Sequence, residues 1–114
     1  MSGVGYSLAP TLPQNDDRLE GFARQRAERG FDDTETWSLA STIAAFALPR
    51  LKRFKEVNIG HPGDATEEEW AADVDEMIWA FQQIVDDETW SFKEPERVDA
   101  ALRLFGDRFL NLWW

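Results

Sequence analysis

Apolar residues recur along this chain at helical spacing, and no stretch alternates them as a half-buried strand would. The clearest pattern starts at Trp70. Val74, Met77, Ile78, Phe81, Ile84 and Val85 follow it at offsets 4, 7, 8, 11, 14 and 15, a single stripe on an amphipathic helix. Just ahead, Thr66-Glu67-Glu68-Glu69 has the form of a capping box, in which the Thr hydroxyl and the Glu69 carboxylate satisfy each other's backbone donors. A second stripe comprises Val98, Ala101, Leu102, Phe105, Phe109, Leu112 and Trp113, and it follows Pro95, a residue suited to a first helical turn. Trp79 falls outside the first stripe, and Leu104, Leu110 and Trp114 outside the second.

The pattern changes between Trp37 and Leu48. There Leu39, Ile43, Phe46 and several alanines cover nearly every direction of the helical wheel, which predicts a central helix buried by several neighbours. Asp32 or Asp33 would cap it, and Pro49 would kink or restart it. A thinner stripe of Leu19, Phe22, Ala23 and Ala27 predicts a first helix, capped by Asn15 or Asp16 and closed by Gly30. Residues 1–13 mix Gly, Ser and Pro without a period and read as an extended arm, with Tyr6 and Leu8 available for docking. The prediction is an all-α fold: a compact bundle of about four helices with an extended N-terminal arm over 1–13 and a single helical domain over 14–114. Ile43, Ala44, Ala47 and Leu51 are expected at its centre, ringed by Phe54, Trp70, Met77, Ile78, Phe81, Leu102, Phe105 and Phe109.

Charge adds an asymmetry. The net charge is −10, and residues 56–92 carry eleven acids with no Lys or Arg. Phosphate contacts need concentrated positive charge, so direct nucleic-acid binding is not expected. The acidic segment reads either as a solvated face or as a surface for a basic partner. The basic run Arg50-Leu51-Lys52-Arg53-Phe54-Lys55 suits a helix C-terminus and pairing with those acids. Without cysteine the chain can form no disulfide and no thiolate metal site. The longest apolar run, Ile43 to Leu48, falls far below the ~20 residues of a membrane span, so neither a membrane segment nor a signal peptide is expected.

Catalytic patterns are not recognisable. His61 stands alone in the Gly/Pro loop NIGHPGDA, without a second His or an activated nucleophile at a familiar spacing, and reads as a loop-packing residue. The acids from Asp64 to Glu76 do not follow the calcium-loop pattern and would be spread round a helix. No catalytic residue, cofactor or metal is therefore expected, and the chain reads as non-enzymatic. Glu68, Asp75 and Asp86 fall within ~20° of one direction on the predicted third long helix, with Trp79 close by. These four residues form the candidate partner-binding face. Trp90, Leu104, Leu110 and Trp114 are further off-stripe apolar groups, which read first as contacts to the N-terminal arm or a third helix and otherwise as a patch that a partner, or a second copy in a homodimer, would cover.

Several of these segments together resemble a family of small, uncharacterised bacteriophage proteins. The resemblance rests on Gly30-Phe31-x-Asp33-x-x-x-Trp37, on Leu48-Pro49-Arg50-Leu51-Lys52-Arg53-Phe54-Lys55, on Gly60-x-Pro62-Gly63, on Glu68-Glu69-Trp70 and Met77-Ile78-x-Ala80-Phe81, and on the closing Leu104-Phe105 and Phe109-x-x-Leu112-Trp113. It covers residues ~30–113, departs from the family pattern at His61 and Trp114, and carries over no activity or binding residue. It implies phage origin and a place in the cytoplasm of an infected bacterium. The expected function is binding, and inhibition, of a host or phage protein that has a basic surface. The alternative is a structural or assembly component of the virion.

Overall fold

The computed structural model of the chain describes residues 7–9 and 11–114, so Tyr6 lies outside the described residues. All regular elements among the described residues are helical: α1 (Leu19–Arg29), α2 (Thr34–Trp37), α3 (Leu39–Val57), α4 (Glu67–Asp86), α5 (Pro95–Asp107) and a 3-10 turn at Phe109–Asn111. The all-α class and the four long helices follow the patterning. Two compact units divide the chain, one ending at Ala45 and the other spanning Phe46–Trp114.

In the first unit, α1 begins later than the cap signals imply. The Asp16 carboxylate accepts the Arg18 amide at 2.9 Å and closes the turn ahead of the helix, while Arg18 itself occupies the cap position without a side-chain bond. Hydrogen bonds from Arg18 hold the Asp16 pKa down at about 2. The other end is as expected: Gly30 takes φ +89° and donates its N–H to the Arg26 carbonyl, a left-handed closure that suits glycine. Phe22 is the buried residue of α1 and meets Trp37 edge-to-face at 5.9 Å.

The next helix splits where a continuous one was expected. Ser38 adopts φ −132° and ψ 84°, so α2 ends at Trp37 and α3 starts at Leu39. Local polar bonds favour the break: the Thr42 hydroxyl donates to the Glu35 carbonyl at 2.7 Å, and the Ser38 and Ser41 hydroxyls bond each other at 2.9 Å. Pro49 does not interrupt α3, although it removes one ladder donor.

The all-round burial expected for this segment is not found. Ala44, Leu48 and Leu51 share one face and are buried, Ala47 is half-buried, and Leu39, Ile43 and Phe46 are about half exposed. An all-round apolar wheel is buried only if elements lie on every side, and only one face of α3 is covered. Ile43 is thus not a central core residue, since it stands at 48% exposure.

The second unit has the larger apolar core. Trp70, Val74, Met77, Ala80, Phe81 and Ile84 of α4 are buried, with Leu48 and Leu51 of α3 and Val98 and Ala101 of α5. The capping box at Thr66 and Glu69 is formed, with bonds of 3.1 and 2.8 Å. Phe54 meets Trp70 edge-to-face, and Phe81 meets Phe105 in the same way at 5.0 Å. Phe54, Ile78 and Phe105 are half-buried members of this ring. Leu102 and Phe109 were expected beside them, yet both are exposed. Leu102 sits on the edge of its stripe. Phe109 lies beyond the end of α5 at Asp107, where Arg108 leaves helical geometry at φ −102° and ψ 6°, so it no longer follows the helical stripe, although its ring still meets Phe105 at 5.5 Å.

Candidate partner-binding surface

Glu68, Asp75, Trp79 and Asp86 share the outer face of α4, as their spacing requires. Their surroundings differ from one another. Asp75 is exposed but bound at 2.5 Å by Lys55, which arrives from the C-terminal half of α3. Trp79 is half-buried beneath the Arg97 guanidinium, whose central carbon lies 3.8 Å from the ring centroid. The same guanidinium forks onto both Glu76 oxygens at 2.8 and 2.9 Å. This pairing holds the Glu76 carboxyl below its ordinary range and raises the Arg97 pKa. Glu68 and Asp86 are exposed and have no cation partner within the ion-pair distance among the described residues, although Asp86 accepts a 2.9 Å bond from Gln82.

The acidic segment is therefore partly neutralised from both flanks. Lys55 reaches it from α3, Arg97 from α5, and Arg108 bonds Asp64 at 2.9 Å and lies 3.8 Å from Asp73. The basic run before Lys55 joins in only partly: Lys52 donates to Gln82 at 3.2 Å, and Arg50 covers the Phe46 ring.

Apolar exposure gathers elsewhere in the second unit. Among the off-stripe residues, Trp90, Leu110 and Trp114 are exposed, while Trp79 and Leu104 are half-buried. Around the loop after α3, Ile59 is 90% exposed, and the segment after α5 adds Leu110 at 84%, Trp113 at 73% and Trp114 at 66%. A cleft of about 450 Å³ lies here, lined by Ile59, His61, Pro62, Trp70, Trp113 and Trp114 among others. Three contacts position its walls. Trp70 Nε1–H donates to Asn58 Oδ1 at 3.1 Å, which fastens the loop to α4. Arg108 ties Asp64 of the same loop to the end of α5. The Trp113 amide bonds the Asn111 carbonyl at 2.9 Å and fixes the turn that carries the indoles.

The sequence reading named Trp114 and Leu110 but missed Ile59 and the cleft itself. Two signals were available: adjacent tryptophans at the end of the second stripe, and an isoleucine inside a Gly/Pro loop, where no core position is expected. His61 is exposed on the rim, with Nδ1 3.0 Å from the Pro62 carbonyl oxygen. No three His, Asp or Glu side chains among the described residues converge as metal ligands. No helix of the described residues is long and apolar enough to cross a membrane.

A second polar cluster occupies the first unit. Asp32, Thr34 and Glu35 are buried, Arg26 pairs with Asp32 at 2.6 Å, and the Leu8 amide donates to Glu35 at 3.3 Å. Every buried side-chain nitrogen and oxygen among the described residues has a partner, so this cluster is closed on itself. Comparison with protein families, curated proteins and solved structures gives no match.

Proposed function

We propose that this chain is a non-enzymatic binding protein that engages a host or phage protein through an acidic and aromatic surface. The observation that carries this reading is the exposure of Ile59, Trp113 and Trp114 around one cleft. Burying each such side chain would gain about 1.5–3 kcal/mol, so a contiguous group left in water is a binding resource. Glu68 and Asp86 supply exposed acids, and Asp75 and Trp79 would join them once Lys55 and Arg97 exchange partners. The resemblance to small phage proteins supports action in the cytoplasm of an infected bacterium, where binding would inhibit its target.

The test is affinity capture from bacterial lysate at low and moderate salt, with the wild type beside a Trp113→Ala/Trp114→Ala variant. A partner retained by the wild type and lost by the variant is expected. Recovery of none at either salt, or equal recovery by the variant, overturns the reading. Mass spectrometry of purified phage particles should find no copies, since their presence would favour a virion component.

A further inference from the structure

Two clefts of the second unit meet along Asn58, Ile59, Gly60 and Trp70. One lobe is the aromatic cleft described above. The other, about 150 Å³, adds Phe54, Lys55 and Glu67. Its two charges are not equivalent. Lys55 is held by Asp75 at 2.5 Å, whereas Glu67 is exposed and has no cation within ion-pair distance among the described residues. Nearby, Asp64 and Asp73 share the single guanidinium of Arg108, so that group retains a net negative charge. Glu68 adds another exposed acid on the next residue. The groove therefore offers indole faces and an isoleucine at one end and an uncompensated carboxylate at the other, with no spare cation between them.

We infer that this two-lobed groove accepts a basic, partly apolar peptide segment of a partner protein. A Lys or Arg of the segment sits beside Glu67, and an apolar residue packs between Ile59 and the Trp113 and Trp114 indoles. The inference rests on the binding function proposed above and adds the chemistry of the partner. Charge complementarity selects it: an acidic segment would meet Glu67, Glu68 and the Asp64–Asp73 pair with nothing to neutralise it. Indole faces also attract a cation directly, which suits Lys or Arg flanked by apolar residues.

Fluorescence anisotropy of the full chain with labelled octapeptides tests this. Three probes are used: alternating Lys and Leu, alternating Glu and Leu, and alternating Lys and Ser. The Lys/Leu peptide should bind, and weaken severalfold between ~50 and ~300 mM salt. The other two should bind at least about tenfold more weakly, because one lacks the charge and the other the anchor. Glu67→Gln should cost about threefold or more, and Trp113→Ala/Trp114→Ala about tenfold. Glu88→Gln, an exposed acid outside the groove, should stay within about twofold. Should the double variant misfold, Ile59→Ser replaces it, since Ile59 is almost wholly exposed.

Equal binding of the Glu/Leu or Lys/Ser peptide overturns the inference, as does an effect of Glu88→Gln matching that of the groove variants. Concentration-dependent dimerisation abolished by the Trp variant would also overturn it, because a second copy would then be the occupant. A lysate partner lost by the Trp variant, together with no Lys/Leu binding, leaves the binding function standing and removes the partner chemistry. Groove-dependent Lys/Leu binding with no lysate partner does the reverse.

Discussion

The two units of the chain solve the problem of a centre in different ways. The second buries ten apolar side chains, from Leu48 to Ala101, with aromatic edges closing the ring. Among the described residues, the first buries only Phe22 and Ala44 of the apolar ones, beside the polar Asp32, Thr34 and Glu35. Apolar burial stabilises without direction, whereas a hydrogen-bonded cluster in low dielectric fixes geometry and is costly if one member is lost. Asp32 shows how tightly the polar centre is specified. Its side chain accepts the Arg26 guanidinium and both the amide and the hydroxyl of Thr34, while its own amide donates to Glu35 at 2.7 Å. The Glu35 carboxylate accepts both the Asp32 and the Leu8 amides, one on each oxygen, and so ties the start of α2 to residue 8.

The largest effect should come from the apolar centre. Phe81→Ala is expected to cost about 3–5 kcal/mol in denaturant unfolding, through lost burial and an unfilled cavity. A cost below about 1 kcal/mol would mean that the second unit is not held by this core. Next, Asp32→Ala should cost about 2–3 kcal/mol, since it removes the acceptor of the buried Thr34 amide and breaks the buried bond to Arg26. Its signature should appear as faster amide exchange in the first unit, with the second unit protected; uniform loss would erase the contrast.

Acid should act on the same pair of centres unequally. Burial pushes the Asp32 carboxyl up, but bonds from Thr34, Arg26 and Ser7 together outweigh it and leave the pKa below 3.8. A folded pKa below the unfolded one contributes stability that is complete above the unfolded value and disappears as pH falls through the folded value. The first unit should therefore loosen below about pH 4, and Asp32→Asn should flatten that dependence. Asp64 and Glu76 shift in the same direction, but their ion pairs lie at the surface, where solvent screens them. Loss of α4 protection ahead of the first unit would contradict this ordering.

Ile43→Ala sharpens the boundary between a buried and a half-covered apolar residue. At 48% exposure it should cost about 1 kcal/mol or less, well under Phe81→Ala. The smallest effect belongs to the connector after α4. Trp90 has φ +55°, held by a turn in which Asp87 accepts the Thr89 and Ser91 amides at 3.0 Å. Trp90→Gly should be less destabilising than Trp90→Ala by about 1 kcal/mol, because both lose the indole and only Ala keeps the left-handed strain. Equal costs would show that this turn stores no strain.

Much of the second unit was legible because its signals are local. The Trp70 stripe, the Thr66 capping box and the helix-starting Pro95 each depend on neighbours within a few residues, and each is found as expected. The Gly30 closure was legible for the same reason. The segment from Trp37 to Phe46 was not. Its apolar wheel records which residues would accept burial, while the number of sides that are covered depends on elements far away in the chain. Phe109 escaped because α5 ends at Asp107, one turn short of the stripe, and no single residue there encodes that end.

The sequence by itself determined the helical class, the Thr66 capping box, the Gly30 closure and the concentration of acids between residues 56 and 92, all properties of composition and short-range spacing. Only the tertiary structure decided what those acids meet. Lys55, Arg97 and Arg108 lie outside the acidic segment, yet the packing of the second unit brings them to Asp75, Glu76 and Asp64 and leaves Glu67 and Glu68 without a cation among the described residues. Charge pairing depends on distance in space, and the ion pair between Asp64 and Arg108 spans 44 residues of chain.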